Sequence, residues 1–181
     1  MSIKTKLLTS AERLFDQHGF MSTSMDQLTK AADMSSRTLY KHAGGKTGLV
    51  QAVLTARDKR FMQAIDVQSI DDLFAALQNW TLTEGARGCL FLRAYGEAGG
   101  ETPEITDAVM AHKAAFHAQI ARIVKAELGA NHPDLELLTE QILVLIEGST
   151  SAAIYRGTDA ITSAHQAATL LIAQTRKDSG I

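Results

Sequence analysis

Apolar side chains recur along most of this 181-residue chain at the spacing of one face of an α-helix. The first stripe ends before Gly19 and consists of Ile3, Leu7, Leu8, Ala11, Leu14 and Phe15. We find no convincing strand pattern and no internal repeat. The pattern therefore predicts an all-α fold.

Two short helices are predicted after the first one. A capping box at Ser24–Gln27 opens a helix that ends at Asp33, and a cap at Thr23 would shift its start by one residue. The next helix, Ser36–Ala43, follows its cap Ser35. Helices this short are unstable alone and must pack on the first one. Their order and short connection are typical of a helix-turn-helix.

Caps, glycines and prolines divide the remaining chain into six further helices. Their expected ranges are 46–65, 70–84, 89–99, 103–128, 133–155 and 160–176. The prediction for the whole chain is therefore nine helices.

Composition limits the class of protein. Apolar residues make up 45% of the chain and charged residues 21%, which is typical of a globular protein. The single cysteine, Cys89, excludes an internal disulfide and a Cys-rich metal site. The longest apolar run, 142–146, is far shorter than a membrane span, and the N-terminus lacks the apolar stretch of a signal peptide. We therefore expect a cytoplasmic protein that does not contact a membrane.

Charge is distributed unevenly. Residues 1–60 contain ten Lys/Arg and five Asp/Glu, a net charge of +5. Residues 61–181 contain eight Lys/Arg and fifteen Asp/Glu, a net charge of −7. A basic third on an acidic body indicates that one end binds a polyanion, although chance clustering of surface charge would produce the same count.

The segment 28–49 resembles the DNA-binding segment of TetR-family transcriptional regulators. The residues that follow the order and spacing of that family are Ser35, Thr38, Leu39, Tyr40, His42 and Lys46. Residues 87–90 are similar to a segment in the ligand-binding domain of some members. The sequence departs from the family pattern at Asp33, Ala43 and Thr47, where Gly, an aromatic residue and Glu are usual.

The resemblance implies a homodimeric repressor that a small, mainly apolar effector releases from a palindromic operator. Residues 1–45 would form the helix-turn-helix domain, and 46–181 the effector-binding and dimerisation domain. The helix predicted at 46–65 would link the two and tilt when the effector binds.

The third helix, about 10 Å long, fits a major groove about 12 Å wide. Its exposed residues would face bases, and Arg37 could bond both acceptors of a guanine. Other polar residues and the two capped helix N-termini would contact phosphates. Taken singly, each residue could equally be a cap, a half-buried aromatic or a solvated charge. The predicted DNA-binding set is Ser24, Ser35, Ser36, Arg37, Thr38, Tyr40, Lys41, His42 and Lys46.

Two further sites are predicted in the body. Inward-leaning aromatic residues are mostly core, but the resemblance raises the possibility of an effector pocket lined by Phe61, Trp80, Phe91, Tyr95, His112 and Phe116. The last two helices are apolar or small on several faces, which suits a four-helix bundle between two chains. The predicted interface is Ile142, Leu145, Ser149, Ile161, Ala168 and Ile172, with burial inside one monomer as the alternative.

We predict no enzyme activity, no metal and no cofactor. Gly45-Lys46-Thr47 is not a phosphate-binding loop, because Tyr40 stands where that motif needs glycine and no strand precedes it. No two histidines are four residues apart, as a helical zinc site would need. Cys89 is interpreted as a small buried apolar residue, with a redox-sensing thiol as the alternative. A small helical enzyme and a ligand-free architectural DNA-binding protein remain the two alternative classes.

Overall fold

The computed structural model describes residues 2–85 and 87–178, and within these ranges the chain forms nine α-helices and no strand. The helices are α1 (Ile3–His18), α2 (Met25–Ala32), α3 (Ser36–Ala43), α4 (Lys46–Ala64), α5 (Ile70–Glu84), α6 (Leu90–Ala98), α7 (Pro103–Leu128), α8 (Leu135–Arg156) and α9 (Asp159–Asp178). A short 3-10 helix, Gly99–Glu101, follows α6. The predicted all-α fold is confirmed.

Local capping sets the start of α2. The Ser24 hydroxyl accepts a hydrogen bond from the Gln27 N–H at 3.2 Å, and the Gln27 side chain accepts one from the Ser24 N–H at 2.7 Å. Thr23 is not the cap, because its buried hydroxyl donates to the Gly19 carbonyl at 2.6 Å. The capping box predicted at Ser24 is therefore confirmed, and the alternative register is wrong.

The start of α8 was predicted two residues too early. Proline suits the first turn of a helix, which favoured a start at Pro133. The Asp134 N–H instead donates to the ring Nδ1 of His132 at 3.1 Å. This bond closes a turn ahead of the helix, so regular helical bonding begins at Leu135.

The backbone forms two compact units, neither of which is continuous in sequence. The first contains the residues up to Arg60 together with Leu90–His112, and the second contains Phe61–Cys89 together with the residues from Lys113 onward. This division does not coincide with the predicted boundary between residues 45 and 46. The reason is that α6 and the start of α7 pack with the first helices, through contacts that are separated by many residues in the sequence.

The first unit has a small core around α1. Phe15 stacks on Phe20 with 4.8 Å between ring centroids, and Leu28 and Leu39 are fully buried. At the edge of this core, Glu12 of α1 accepts hydrogen bonds from two arginines of α4. Helix α1 thus contacts both α2 of the helix-turn-helix and α4.

The second unit is built around a larger apolar core, to which α5, α7, α8 and α9 contribute. Five of the six residues predicted at a dimer interface are buried in this unit: Ile142, Ser149, Ile161, Ala168 and Ile172. The sixth, Leu145, is partly buried. They line up on the core side of α8 and α9 because their own chain offers apolar neighbours there. Little of their surface is left for a partner.

Among the described residues, α8 is long and apolar enough to cross a membrane by length and composition. The run 142–146 alone is too short to span a membrane, but small and apolar residues extend the apolar segment toward Ile154. The length of this segment was therefore underestimated from the sequence. A third of the apolar window of α8 is buried by the chain itself.

Candidate nucleic-acid interface

Two eight-residue helices and a short turn form the candidate site. The turn, Asp33–Ser35, begins with Asp33 in the left-handed region at φ 48°, which ends α2. The Asp33 carboxylate pairs with Lys6 of α1 at 3.0 Å. Ser35 then caps α3 by accepting a hydrogen bond from the Thr38 N–H at 3.2 Å. Asp33 therefore serves in place of the glycine that is usual in such turns.

The outward face of α3 is basic. Leu39 is fully buried and anchors the helix on the core of the first unit. Arg37 and Lys41 are exposed, and they stand four positions apart on the side opposite Leu39. Two cationic side chains one helical turn apart form a surface that can enter a groove and donate hydrogen bonds there.

The two remaining residues predicted to face bases differ from each other. Ser36 is exposed at the first position of α3. Thr38 is half-buried, and its hydroxyl lies 2.9 Å from the hydroxyl of the capping Ser35. Ser36 is thus accessible to a ligand, whereas the Thr38 hydroxyl already has a local partner.

The residues predicted to contact phosphate lie on α3 and at the starts of α2 and α4. Tyr40 is 54% exposed, and His42 is also exposed. Ser24 and Ser35 are exposed residues whose hydroxyl oxygens accept capping bonds at the N-termini of α2 and α3. Lys46 is half-buried, and its Nζ donates to the Met21 carbonyl at 3.2 Å. An amine held in this way would need to give up or share that bond to reach a phosphate.

Ion pairing distinguishes the cations of the first unit. Arg57 and Arg60 both lie 2.7 Å from the Glu12 carboxylate. Arg37 and Lys41 point outward from a helix whose first turn contains no acidic residue. The positive charge predicted for this end of the chain is therefore available to a polyanion on the outer face of α3.

The predicted effector residues fall into separate groups. In the second unit, Phe61 makes edge-on contacts with Trp80 at 5.1 Å and with Phe116 at 5.2 Å between ring centroids. These three rings form one aromatic cluster. Phe116 is buried and the other two are half-buried.

The other three predicted effector residues belong to the first unit. Phe91 stacks on His112 with 3.5 Å between ring centroids, and His112 Nδ1 lies 2.7 Å from the Asp58 carboxylate. Tyr95 is 43% exposed. His112 is thus buried between an aromatic ring and a carboxylate.

Cys89 lies in a mixed rather than a purely apolar environment. It is half-buried, and Lys113 Nζ lies 3.4 Å from its sulfur. Lys113 also pairs with Glu147 at 2.5 Å. Among the residues that the structure describes, no group of three His, Cys, Asp or Glu side chains could hold a metal ion.

Two side chains of α6 contact the loop before α2, a contact that sequence reasoning missed. Arg93 and Glu97 pair at 2.8 Å, and Glu97 also accepts the Met21 N–H at 2.9 Å. Burial raises the pKa of Glu97. Hydrogen bonds from Met21, Arg93 and Phe20, with the charge of Arg93, outweigh burial and hold this pKa below its ordinary value. The four-residue spacing predicts the ion pair but not its distant partners.

A short helix with an exposed basic face and one buried leucine, joined by a tight turn to a second short helix, defines a helix-turn-helix DNA-binding domain. Residues 7–53 match the model of bacterial regulatory proteins of the tetR family. That segment includes α2 and α3 entirely. The segment that carries α2 and α3 is therefore the DNA-binding segment of the tetR family, whose members are DNA-binding regulators.

Individual relatives agree with this assignment. The transcriptional regulator UidR of Escherichia coli K12 is 35% identical over 57 residues, which cover 32% of this chain and 29% of UidR. The transcriptional repressor ComR of the same organism is 25% identical over 162 residues, covering 81% of this chain and 77% of ComR. The TetR-family regulator SCO4454 of Streptomyces coelicolor shares the fold, with a TM-score of 0.86 and 21% identity over 96% of this chain and 95% of that one.

Proposed function

We propose that this protein is a homodimeric transcriptional repressor that binds a palindromic operator and is released by a small, mainly apolar effector. The observation that carries the proposal is the exposed pair Arg37 and Lys41 on the face of α3 opposite the buried Leu39. The description of ComR as a repressor supports the direction of regulation. A regulator of this kind acts on the chromosome, hence in the cytoplasm.

Base reading is assigned to the outer face of α3. The Arg37 guanidinium can donate to O6 and N7 of one guanine, and Lys41 can reach the next acceptors along the groove. Ser36 is accessible beside them. The Thr38 hydroxyl would read a base only by sharing its bond with Ser35.

Phosphate binding is assigned to the residues around that face. The N–H groups at the start of α2 and α3 carry partial positive charge and lie next to the caps Ser24 and Ser35. Tyr40 and His42 are exposed on the last turns of α3, and Lys46 begins α4. Such contacts set the register of the protein on DNA and carry no sequence information.

A dimer would use the exposed side of α8 and α9 rather than the buried residues predicted first. A groove of about 420 Å³ on these helices is lined mainly by small and apolar residues, among them Val144, Gly148 and Ala152, with Arg156 at the end of α8 and Asp159 at the start of α9 also lining it. Val144 is 68% exposed and Leu170 71% exposed. Two copies would place two recognition helices on half-sites about 34 Å apart.

The effector is assigned to the aromatic cluster Phe61, Trp80 and Phe116, because such rings suit an apolar ligand. Trp80 is the one tryptophan in the sequence, so its fluorescence reports on this cluster alone. Release needs an effector that binds the DNA-free state more tightly, with a coupling of about 1–3 kcal/mol. A compound that changes Trp80 emission without weakening DNA binding would not be the effector.

The main test is a genomic selection with the purified protein at low ionic strength. An enriched palindrome is the expected result, and the absence of any enriched duplex would contradict the proposal. Arg37→Ala should weaken binding to that palindrome by about 1–3 kcal/mol and relax base preference at one position of each half-site. Arg13→Ala, which removes an exposed arginine from α1, is the matched control and should leave base preference unchanged.

Dimerisation is tested separately by sedimentation. Val144→Asp places a charge in the α8–α9 groove and should yield monomers. Leu82→Asp, at a position of α5 that is 72% exposed, is the control and should leave the dimer intact. A Val144→Asp protein that sediments as the wild type does would show that the interface lies elsewhere.

A further inference from the structure

Two side chains of α6 hold the loop that joins α1 to α2. Arg93 Nη1 donates to the Asp16 carbonyl at 2.8 Å, near the end of α1. Glu97 Oε2 accepts the Met21 N–H at 2.9 Å, just before α2. Arg93 Nε and Glu97 Oε1 lie 2.8 Å apart, so each side chain fixes the other. We call Arg93 and Glu97 the α6 clamp.

The loop is shaped to receive this clamp. Gly19 ends α1 at φ 89°, a conformation that L side chains rarely adopt. A Cβ at this position would lie 2.7 and 2.8 Å from the two carboxylate oxygens of Glu97 and 3.1 Å from Arg93 Nη2. The carboxylate therefore lies directly against the loop backbone, where only a glycine leaves room for it.

The same loop contacts the candidate DNA-binding surface. The Met21 peptide lies between two elements, because its N–H donates to Glu97 and its carbonyl accepts from Lys46 Nζ at 3.2 Å. Thr23 closes the loop by donating to the Gly19 carbonyl. The next residue is Ser24, the cap of α2. A shift of this loop would move both the start of α2 and the partner of Lys46.

We propose that Arg93 and Glu97 are positioning residues for operator binding. By fixing the loop before α2, they hold the start of α2, and with it the turn and α3, in the position that fits the operator. This inference rests on the proposed DNA-binding function. The contacts of Glu97 with backbone N–H groups, which its lowered pKa also reflects, favour a fixed loop over a flexible one.

Two variants break the α6 clamp without adding negative charge that would repel DNA. Glu97→Gln removes a negative charge, which by itself would favour binding to DNA. Arg93→Lys keeps the charge but cannot donate to both Asp16 and Glu97 from one planar group. In each variant we expect operator affinity to fall about five- to tenfold. Hydrogen exchange of the Phe20 and Met21 amides in the free protein should become faster.

Glu127→Gln is the matched control. Glu127 in the second unit also accepts a backbone N–H, that of Ile70 at 3.2 Å, and pairs with an arginine, Arg176. Its loss should lower stability in a similar way, yet leave operator affinity and Met21 exchange unchanged. Affinities are measured well below the unfolding temperature of each variant, so that loss of folded protein does not enter.

A double-mutant cycle separates positioning from a general loss of stability. Glu97→Gln and Lys46→Ala should be non-additive in operator binding, because both act on the Met21 peptide. Glu97→Gln and Lys41→Ala should be additive. If the wild-type protein binds no duplex, the proposed function fails. If it binds, and the clamp variants match it in affinity and amide exchange, the positioning role is overturned.

Discussion

The α2–α3 pair and the α8–α9 pair are both made of two consecutive helices, yet different forces hold them. In the first pair each helix has eight residues, a serine cap at its N-terminus and one or two buried apolar residues. In the second pair the helices have 22 and 20 residues and contribute to the large core of their unit. No side chain caps the start of α8.

This difference determines which substitutions affect the stability of each helix pair. A helix of two turns gains little from burial, so single hydrogen bonds and close backbone contacts determine where it starts and lies. A helix of six turns gains most of its stability from the apolar area that it buries. The polar outer face of α3 is left free for a ligand, whereas one side of α8 is used by its own core.

The largest effect is expected in the second pair. Ile142 is fully buried, and Ile142→Ala should lower the free energy of unfolding by about 2–5 kcal/mol through lost burial and the cavity left behind. Leu137→Ala, at a position of the same helix that is 57% exposed and does not line the proposed dimer groove, should change it by less than about 0.5 kcal/mol. Chemical denaturation at one protein concentration measures both. Equal losses would mean that the two faces of α8 are not distinct.

Gly48→Ala should have the next largest effect on the free energy of unfolding. Alanine normally favours a helix over glycine, but a Cβ at Gly48 would lie 2.1 Å from the carbonyl oxygen of Ala43 at the end of α3. We expect α3 to shift and the free energy of unfolding to fall by about 1–3 kcal/mol. Gly96→Ala in α6, where no such atom lies within 4 Å, should instead gain up to about 1 kcal/mol. If both Gly48→Ala and Gly96→Ala were more stable than the wild type, the close contact at Gly48 would be contradicted.

Removal of a cap should have a smaller effect, and only in the first pair. Ser24→Ala loses the hydroxyl that accepts the Gln27 N–H, and should cost about 0.5–2 kcal/mol of unfolding free energy. Asp134→Ala removes a residue that makes no side-chain capping bond at the start of α8, and should cost less than about 0.5 kcal/mol. A loss at Asp134 equal to that at Ser24 would remove the proposed distinction between the pairs.

The smallest effect is the pH dependence that Glu97 adds to the first unit. Its folded-state pKa lies below the ordinary value of 4.5, so its stabilising contribution is full above that pH. This contribution is lost as the pH falls through the lowered pKa of the folded state. The acid-induced fall in unfolding free energy should therefore be shallower in Glu97→Gln than in the wild type. Thermal unfolding between pH 6 and about 3 tests this expectation, and superimposable curves would contradict it.

Local signals were sufficient for the helix-turn-helix. The bounds of α3 and the capping box at Ser24 follow from hydrogen bonds between residues three or four positions apart. The exposure of Arg37 and Lys41 follows from the single inward residue Leu39. These features needed no knowledge of the rest of the chain.

The faces of α8 and the partners of α6 could not be obtained in this way. Apolar residues surround α8 at 142–146, so the pattern cannot tell a side packed on the core from a side left for a second copy. Glu97 and Arg93 are visible as a pair four residues apart, but their bonds reach Met21 and Asp16, more than seventy positions away.

The amino-acid order alone determined where α2 and α3 begin and end and which side of α3 is polar, because those outcomes depend on near neighbours. Only the tertiary structure decided that Ile142 and Ile161 belong to the core, that α6 belongs to the unit that carries α3, and that Lys46 bonds the Met21 carbonyl. These outcomes depend on contacts between distant segments, whose free energy is set by packing and not by local propensity.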